Sequence, residues 1–130
     1  MSELINSISN SAAQVIIVKS RGEGTFCAGA SFDELLALED VESAKEFFMG
    51  FARLILCLKS VPQPVLGMIQ GKTVGGGVGL AAAFDFCGAT KGALLKLSEL
   101  NVGIGPFVIA PAVSHKIGVS GLQALSYTPG

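Results

Sequence analysis

Apolar residues recur along this chain with two different periods. Val15-Ile16-Ile17-Val18 is a short β-branched run and predicts a buried strand. Val65 to Ile69 predicts a second, and Ala93 to Leu97 a third. Between the first two, Ala44, Phe47, Phe48, Phe51, Leu54, Ile55 and Leu58 return at helical intervals, with Glu46, Arg53 and Lys59 falling outside the stripe. That spacing predicts a helix over 44–59. Ser43-Ala44-Lys45-Glu46 has the S-x-x-E form of a capping box at its start, and Pro62 and Pro64 stop it. Ser31-Phe32-Asp33-Glu34 repeats the capping pattern and predicts a shorter helix running to about Leu38. Arg21 to Gly24, Gly71 to Gly79 and Gly103 to Pro106 predict turns. An apolar helix is expected over Val78 to Phe84, another over Phe107 to Ile117 closed by Gly118, and a last short one over Ser120 to Ser126. Strands interleaved with helices point to an α/β fold with mainly parallel strands.

Composition narrows the function classes. The 130 residues suit a single domain, taken as 1–130. Half of them are hydrophobic and only 15% charged, so disorder is ruled out. Mean hydropathy is +0.61, high for a monomer that exposes its whole surface, and a buried partner surface is expected. A net charge of −1 gives no basic face for nucleic acid. No apolar run reaches the roughly 18–20 residues of a membrane span. Met1 to Gln14 is polar, Ser-rich and lacks the basic cluster of a signal peptide, so a cytoplasmic location with reduced thiols is expected. Cys27, Cys57 and Cys87 are too widely spaced for a zinc site, and the lone His115 leaves no evident triad.

The glycines carry the candidate chemistry. Gly67 to Thr73 has one residue too few to be a phosphate-binding P-loop. Gly77-Val78-Gly79-Leu80-Ala81-Ala82 fits a dinucleotide fingerprint, with Glu99 twenty residues past Gly79, but several turn residues separate it from its strand. A third reading takes Gly75-Gly76-Gly77 as main chain that approaches a ligand at a helix N-terminus, where N–H groups stabilise a carbonyl oxygen gaining negative charge. Phe26 to Ser31 offers a second small-residue loop after a strand. The alternative for both is a tight turn with a packing role. Glu99 is the only acid after Asp85 and lies among apolar residues, a setting suited to reversible proton transfer, or else it belongs to a solvated helix start. Asp85 reads as a cap or pairing residue, His115 as a surface group, and Cys27 as a small buried thiol more readily than as a nucleophile.

Three segments, in order, resemble the crotonase, or enoyl-CoA hydratase/isomerase, superfamily. Gly24 to Ser31 is similar to its F-C-A-G-A-D segment, with Ser31 in place of Asp. Pro62 to Leu80 is similar to its P-x-P stretch leading to three glycines, with Asp85 as the downstream acid. Leu97-Ser98-Glu99 through Gly103 to Pro106 is similar to its P-E-x-x-x-G-x-x-P element. The resemblance implies a spiral of repeated ββα turns and an acyl-CoA thioester substrate, with coenzyme A as part of the substrate and no tightly bound cofactor or metal. It implies that the N–H groups of Ala30 and Gly76 flank the thioester carbonyl, that residues near Ala28 and these two positions border the coenzyme A, and that Glu99 moves protons at the acyl chain. Water-adding members use a second carboxylate, which falls at Gly79; double-bond isomerisation is therefore favoured over hydration. Family members run about twice this length, so their opening strands and closing oligomer-building helices are expected to be absent from this chain. A homo-oligomer, trimer or hexamer, is implied, and a non-catalytic acyl-CoA-binding or assembly role is the alternative.

Overall fold

The computed structural model describes residues 1–128. The chain winds as three successive strand–strand–helix turns. Each turn gives one strand to an outer sheet and one stretch of extended chain to an inner sheet. The outer sheet holds β1 (Ile16–Lys19), β2 (Val65–Ile69) and β4 (Phe86–Ala89), in the order β1-β2-β4, all parallel. The inner sheet pairs β3 (Thr73–Val74) with β5 (Leu95–Lys96), also parallel, and Cys27 adds a parallel bridge to Thr73 on the other side. The α/β class and the ββα spiral expected from the sequence are therefore present.

The helices follow from local chemistry and burial. Helix α1 (Ser2–Ser9) packs on α3 (Val41–Ser60), and α2 (Phe32–Leu36) precedes α3. Ser31 Oγ accepts from the Glu34 N–H at 3.3 Å, so the first predicted cap is present. Helix α3 begins earlier than the sequence spacing suggests. Asp40 is its N-cap, its Oδ1 accepting from the Ser43 N–H at 2.7 Å, while Ser43 answers as the third residue of the box. Asp caps as well as Ser does, and its carboxylate also favours the positive helix end. Leu54, Ile55 and Leu58 form the buried stripe of α3.

Helix α4 (Gly76–Ala83) is buried from Gly77 to Ala83, as a helix apolar on all sides must be. It starts inside the segment predicted as a glycine turn, because close packing on every side admits glycine where intrinsic propensity disfavours it. A side chain at Gly67 would stand 2.1 Å from Cδ2 of Phe84, so the bare β2 backbone is the seat for that fully buried ring. Asp85 staples this region, accepting from the Val65 N–H at 2.7 Å while its own N–H donates to the Val65 carbonyl at 2.9 Å. Lys116 Nζ closes the end of α4 by donating to the carbonyls of Phe84 (2.7 Å) and Asp85 (2.9 Å).

A single 3-10 turn, Glu99–Val102, follows β5, and α5 (Ala110–Tyr127) completes the described chain. Gly118 breaks α5 with φ +78°, so the predicted pair of helices meeting at Gly118 appears as one kinked unit. Four elements lie outside the predictions: β3, which falls in the segment predicted as a glycine turn, the 3-10 turn at Glu99–Val102, α1 and β4. α1 arises in the polar start, where Ile8 is buried and Ile5 half-buried. β4, with Gly88 and Ala89 in a four-residue run, gains its strand character from the free edge of β2. The predicted third strand shrinks to Leu95–Lys96. Among the described residues no helix is long and apolar enough to cross a membrane.

Candidate active site

Two parallel crossings bring the small-residue loops together. The Val74 N–H donates to the Cys27 carbonyl at 2.9 Å, and the Phe26 N–H to the Lys72 carbonyl at 2.9 Å. The chain beyond Cys27 therefore runs alongside the approach to α4. Gly29 makes this contact close. Its φ is +86°, and a side chain there would stand 2.7 Å from the Val74 carbonyl oxygen and 3.3 Å from the Gly76 nitrogen. Any other residue would be strained and would push the loops apart. Ala30 follows directly, so its amide lies one peptide from this contact.

Ala30 and Gly76 both line one cavity of about 390 Å³. Neither the Ala30 N–H nor the Gly76 N–H donates to a backbone acceptor among the described residues. For Gly76 this is a consequence of helix geometry, since the first N–H groups of α4 have no carbonyl one turn earlier. The positive end of the helix adds to the potential there. The Phe51 ring lies over Gly76, within 2.7–2.9 Å of where a side chain would begin.

Glu99 enters the same cavity from the third turn of the spiral. It opens the 3-10 turn after β5, which is tied to the start of α4 by the Gly75 N–H donating to the Lys96 carbonyl at 2.9 Å. Gly75, with φ +55°, leaves space for the carboxylate: a side chain there would begin 3.2 Å from Glu99 Oε1. Glu99 Oε2 is buried and has no hydrogen-bond partner. That is the unusual polar feature of the site, since a buried carboxylate oxygen is ordinarily satisfied. The solvated helix start considered for Glu99 is thus not what the structure shows.

The structure brings Ala28, Ala30, Gly76 and Glu99 to one cavity. It leaves the other candidates elsewhere. Cys27 is half-buried, its Sγ turned toward Gly77, and lies outside the cavity lining. His115 is exposed on α5. The P-loop reading fails because Gly67 is covered by Phe84. The dinucleotide reading fails because Gly77 and Gly79 lie inside α4, packed against Cys27 and Ile109. The helical spacing accounts for Phe47, Phe48 and Phe51 as part of the apolar stripe alone. They form an aromatic wall of the cavity, with Phe47 and Phe48 edge to face at 5.2 Å. Three phenylalanines within five residues are the signal the sequence offers.

The family model for enoyl-CoA hydratase/isomerase matches residues 1–129. The chain belongs to that family. It is 37% identical over 97 residues to YngF of Bacillus subtilis strain 168, which carries an enoyl-CoA hydratase/isomerase name; the match covers 75% of this chain and 37% of YngF. It is 32% identical over 113 residues to human mitochondrial 3-hydroxyisobutyryl-CoA hydrolase, covering 80% of this chain and 28% of that protein. Its fold superposes on a crystal structure of an enoyl-CoA hydratase from Bacillus anthracis with a TM-score of 0.87 at 30% identity, over 99% of this chain and 50% of that one. The crotonase-like architecture is thereby shown, and the chain spans about half, or less, of the relatives it matches.

Proposed function

We propose that this chain binds an acyl-CoA thioester in the cavity and moves a proton along its acyl group. The thioester carbonyl accepts from the Ala30 and Gly76 N–H groups. Glu99, as carboxylate, takes a proton from a carbon conjugated to that carbonyl. The electron pair left behind forms an enolate whose charge rests largely on oxygen, where the two amides stabilise it. Donors of this kind are worth about 10²–10³ in rate each. Glu99 then returns the proton to a different carbon, the double bond shifts, and the carboxylate is restored with no net gain or loss of atoms. The observation that carries this reading is the unpartnered, buried Oε2 of Glu99, a residue that lines one cavity with Ala30 and Gly76.

Isomerisation is favoured over water addition by Gly79. The resemblance puts the second carboxylate of water-adding relatives at that position. Here a side chain would start 2.3 Å from Cγ2 of Ile109, so the space is filled by packed hydrocarbon. Glu99→Gln tests the assignment. Turnover of an enoyl-CoA is expected to disappear while CoA-thioester binding remains; undiminished turnover would refute the role of Glu99.

The reading includes a homo-oligomer. Ile17, Leu66 and Phe86 occupy one register row on the outer sheet, with Ile17 and Phe86 59% and 68% exposed. Such a row favours burial against another surface. A monomer in light scattering at micromolar concentration would count against it.

A further inference from the structure

Aromatic rings are concentrated at the cavity. Five of the chain's eight phenylalanines line it: Phe32 from α2, Phe47, Phe48 and Phe51 from α3, and Phe107 from the turn before α5. The other three lie apart, Phe26 and Phe84 edge to face in the core and Phe86 on the outer sheet. None of the five is a core residue. Phe47, Phe48 and Phe51 are half-buried, and Phe32 and Phe107 are 55% and 82% exposed. Two of these rings are seated on bare main chain. Phe51 lies over Gly76, and Phe107 lies over Gly105, within 2.6–3.0 Å of where a side chain would begin. Phe47 and Phe48 already form an edge-to-face pair, whereas Phe32, Phe51 and Phe107 pair with no other ring among the described residues. A ring carries negative potential on its face and positive potential at its edge, so a ring set beside another gains more than the burial of its area.

From these rings, and resting on the acyl-CoA reading above, we infer that the cavity receives an acyl group that itself carries an aromatic ring. The substrate class is an aryl-substituted enoyl thioester, its ring packed among the phenylalanines and its carbonyl at the Ala30 and Gly76 amides. The rings reach the cavity from three separate elements, so an aryl group meets them by face and by edge. A linear alkyl chain has no such complement. 4-Phenylbutanoyl-CoA and 4-cyclohexylbutanoyl-CoA separate ring recognition from plain burial, because their acyl groups share one carbon skeleton and differ only in an aromatic or a saturated ring. The saturated ring is bulkier and more apolar, so transfer out of water alone favours it. Neither compound carries the acyl-chain double bond needed for turnover, so binding alone is read.

Calorimetric titration of the full chain with CoA and the two thioesters is the test. The phenyl compound is expected to bind about three- to tenfold more tightly than the cyclohexyl one. Equal affinity, or a preference for the cyclohexyl ring, overturns this inference and leaves the acyl-CoA reading standing. Failure of both thioesters and of CoA to bind overturns the acyl-CoA reading and this inference together. Two variants exchange a ring for an apolar side chain without aromatic electrons. Phe107 is exposed and Phe48 half-buried, so Phe107→Leu and Phe48→Leu each leave the core intact. With folding checked by circular dichroism, at least one is expected to narrow the ratio about threefold, by weakening the phenyl compound and not by tightening the cyclohexyl one. A ratio unmoved in both overturns the aromatic origin of the preference.

Discussion

The carboxylate of Glu99 packs against the bare Cα of Gly75, with Oε1 3.2 Å from the point where a side chain would begin. Gly75 also holds φ +55° and ψ −120°, a conformation that residues with a Cβ rarely adopt. Backbone strain and carboxylate placement therefore meet at one position. Gly75→Ala is expected to lower stability by about 1–3 kcal/mol from the backbone alone. It should also displace Glu99 and reduce turnover more than CoA-thioester binding. Thermal unfolding and a kcat-against-KM comparison check the two parts separately.

Gly67 and Phe84 form a similar couple in the core. Gly67→Ala puts a methyl 2.1 Å from a ring that has no exposed surface, and overpacking of this kind costs about 1–3 kcal/mol. Phe84→Leu alone costs stability by leaving space. The double variant is expected to be more stable than the sum of the single losses, since each change relieves the other. Additive losses in denaturant unfolding would show that the ring and the glycine do not share one volume.

The elements legible in the sequence are those in which local pattern and final burial agree. Leu54, Ile55 and Leu58 repeat at helical spacing and are the buried face of α3. Val65, Gly67 and Ile69 point inward from a run bounded by Pro64 and Gly71. Glu99 was visible because it is a lone acid in an apolar stretch, and Gly75-Gly76 because a glycine cluster precedes an apolar helix. β4 was not visible, since Phe86-Cys87-Gly88-Ala89 becomes a strand only through the parallel edge of β2. The true start of α3 was missed because Asp40 and Ser43 both suit the cap and only the geometry chooses between them. The cavity wall was missed for a related reason: Phe47, Phe48 and Phe51 continue the apolar stripe, and periodicity does not distinguish core from cavity.

The start of α3 has a pH signature. Hydrogen bonding from the Ser43 backbone, then from its side chain, holds the Asp40 carboxyl below its ordinary value of 3.8. A carboxyl lowered in the folded state stabilises it when ionised. The contribution is fully present above the unfolded value and fades as pH falls through the lowered folded one. Asp40→Asn keeps a capping side chain without the titration. The melting temperatures of the two proteins are expected to differ at pH 6 and to converge as pH drops below about 4. A difference that stays constant over that range would remove the ionised cap from the account.

Gly79 and Ile109 test the chemistry most directly. Glutamate at position 79 restores the second carboxylate that the resemblance assigns to water-adding relatives, but its Cβ would stand 2.3 Å from Cγ2 of Ile109. Gly79→Glu alone is therefore expected to lose several kcal/mol, through overpacking and a buried charge together. Ile109→Ala removes the blocking branch at an ordinary cavity cost of about 2–5 kcal/mol. Combined, the two changes should be less damaging than their sum, and the carboxylate then gains room in the cavity that holds Glu99. If the missing acid is what bars water addition, the double variant acquires hydration of an enoyl-CoA, read by mass spectrometry as a product heavier by one water, while the parent chain is expected to give only a product of unchanged mass. A folded double variant with no hydration would place the barrier elsewhere in the site.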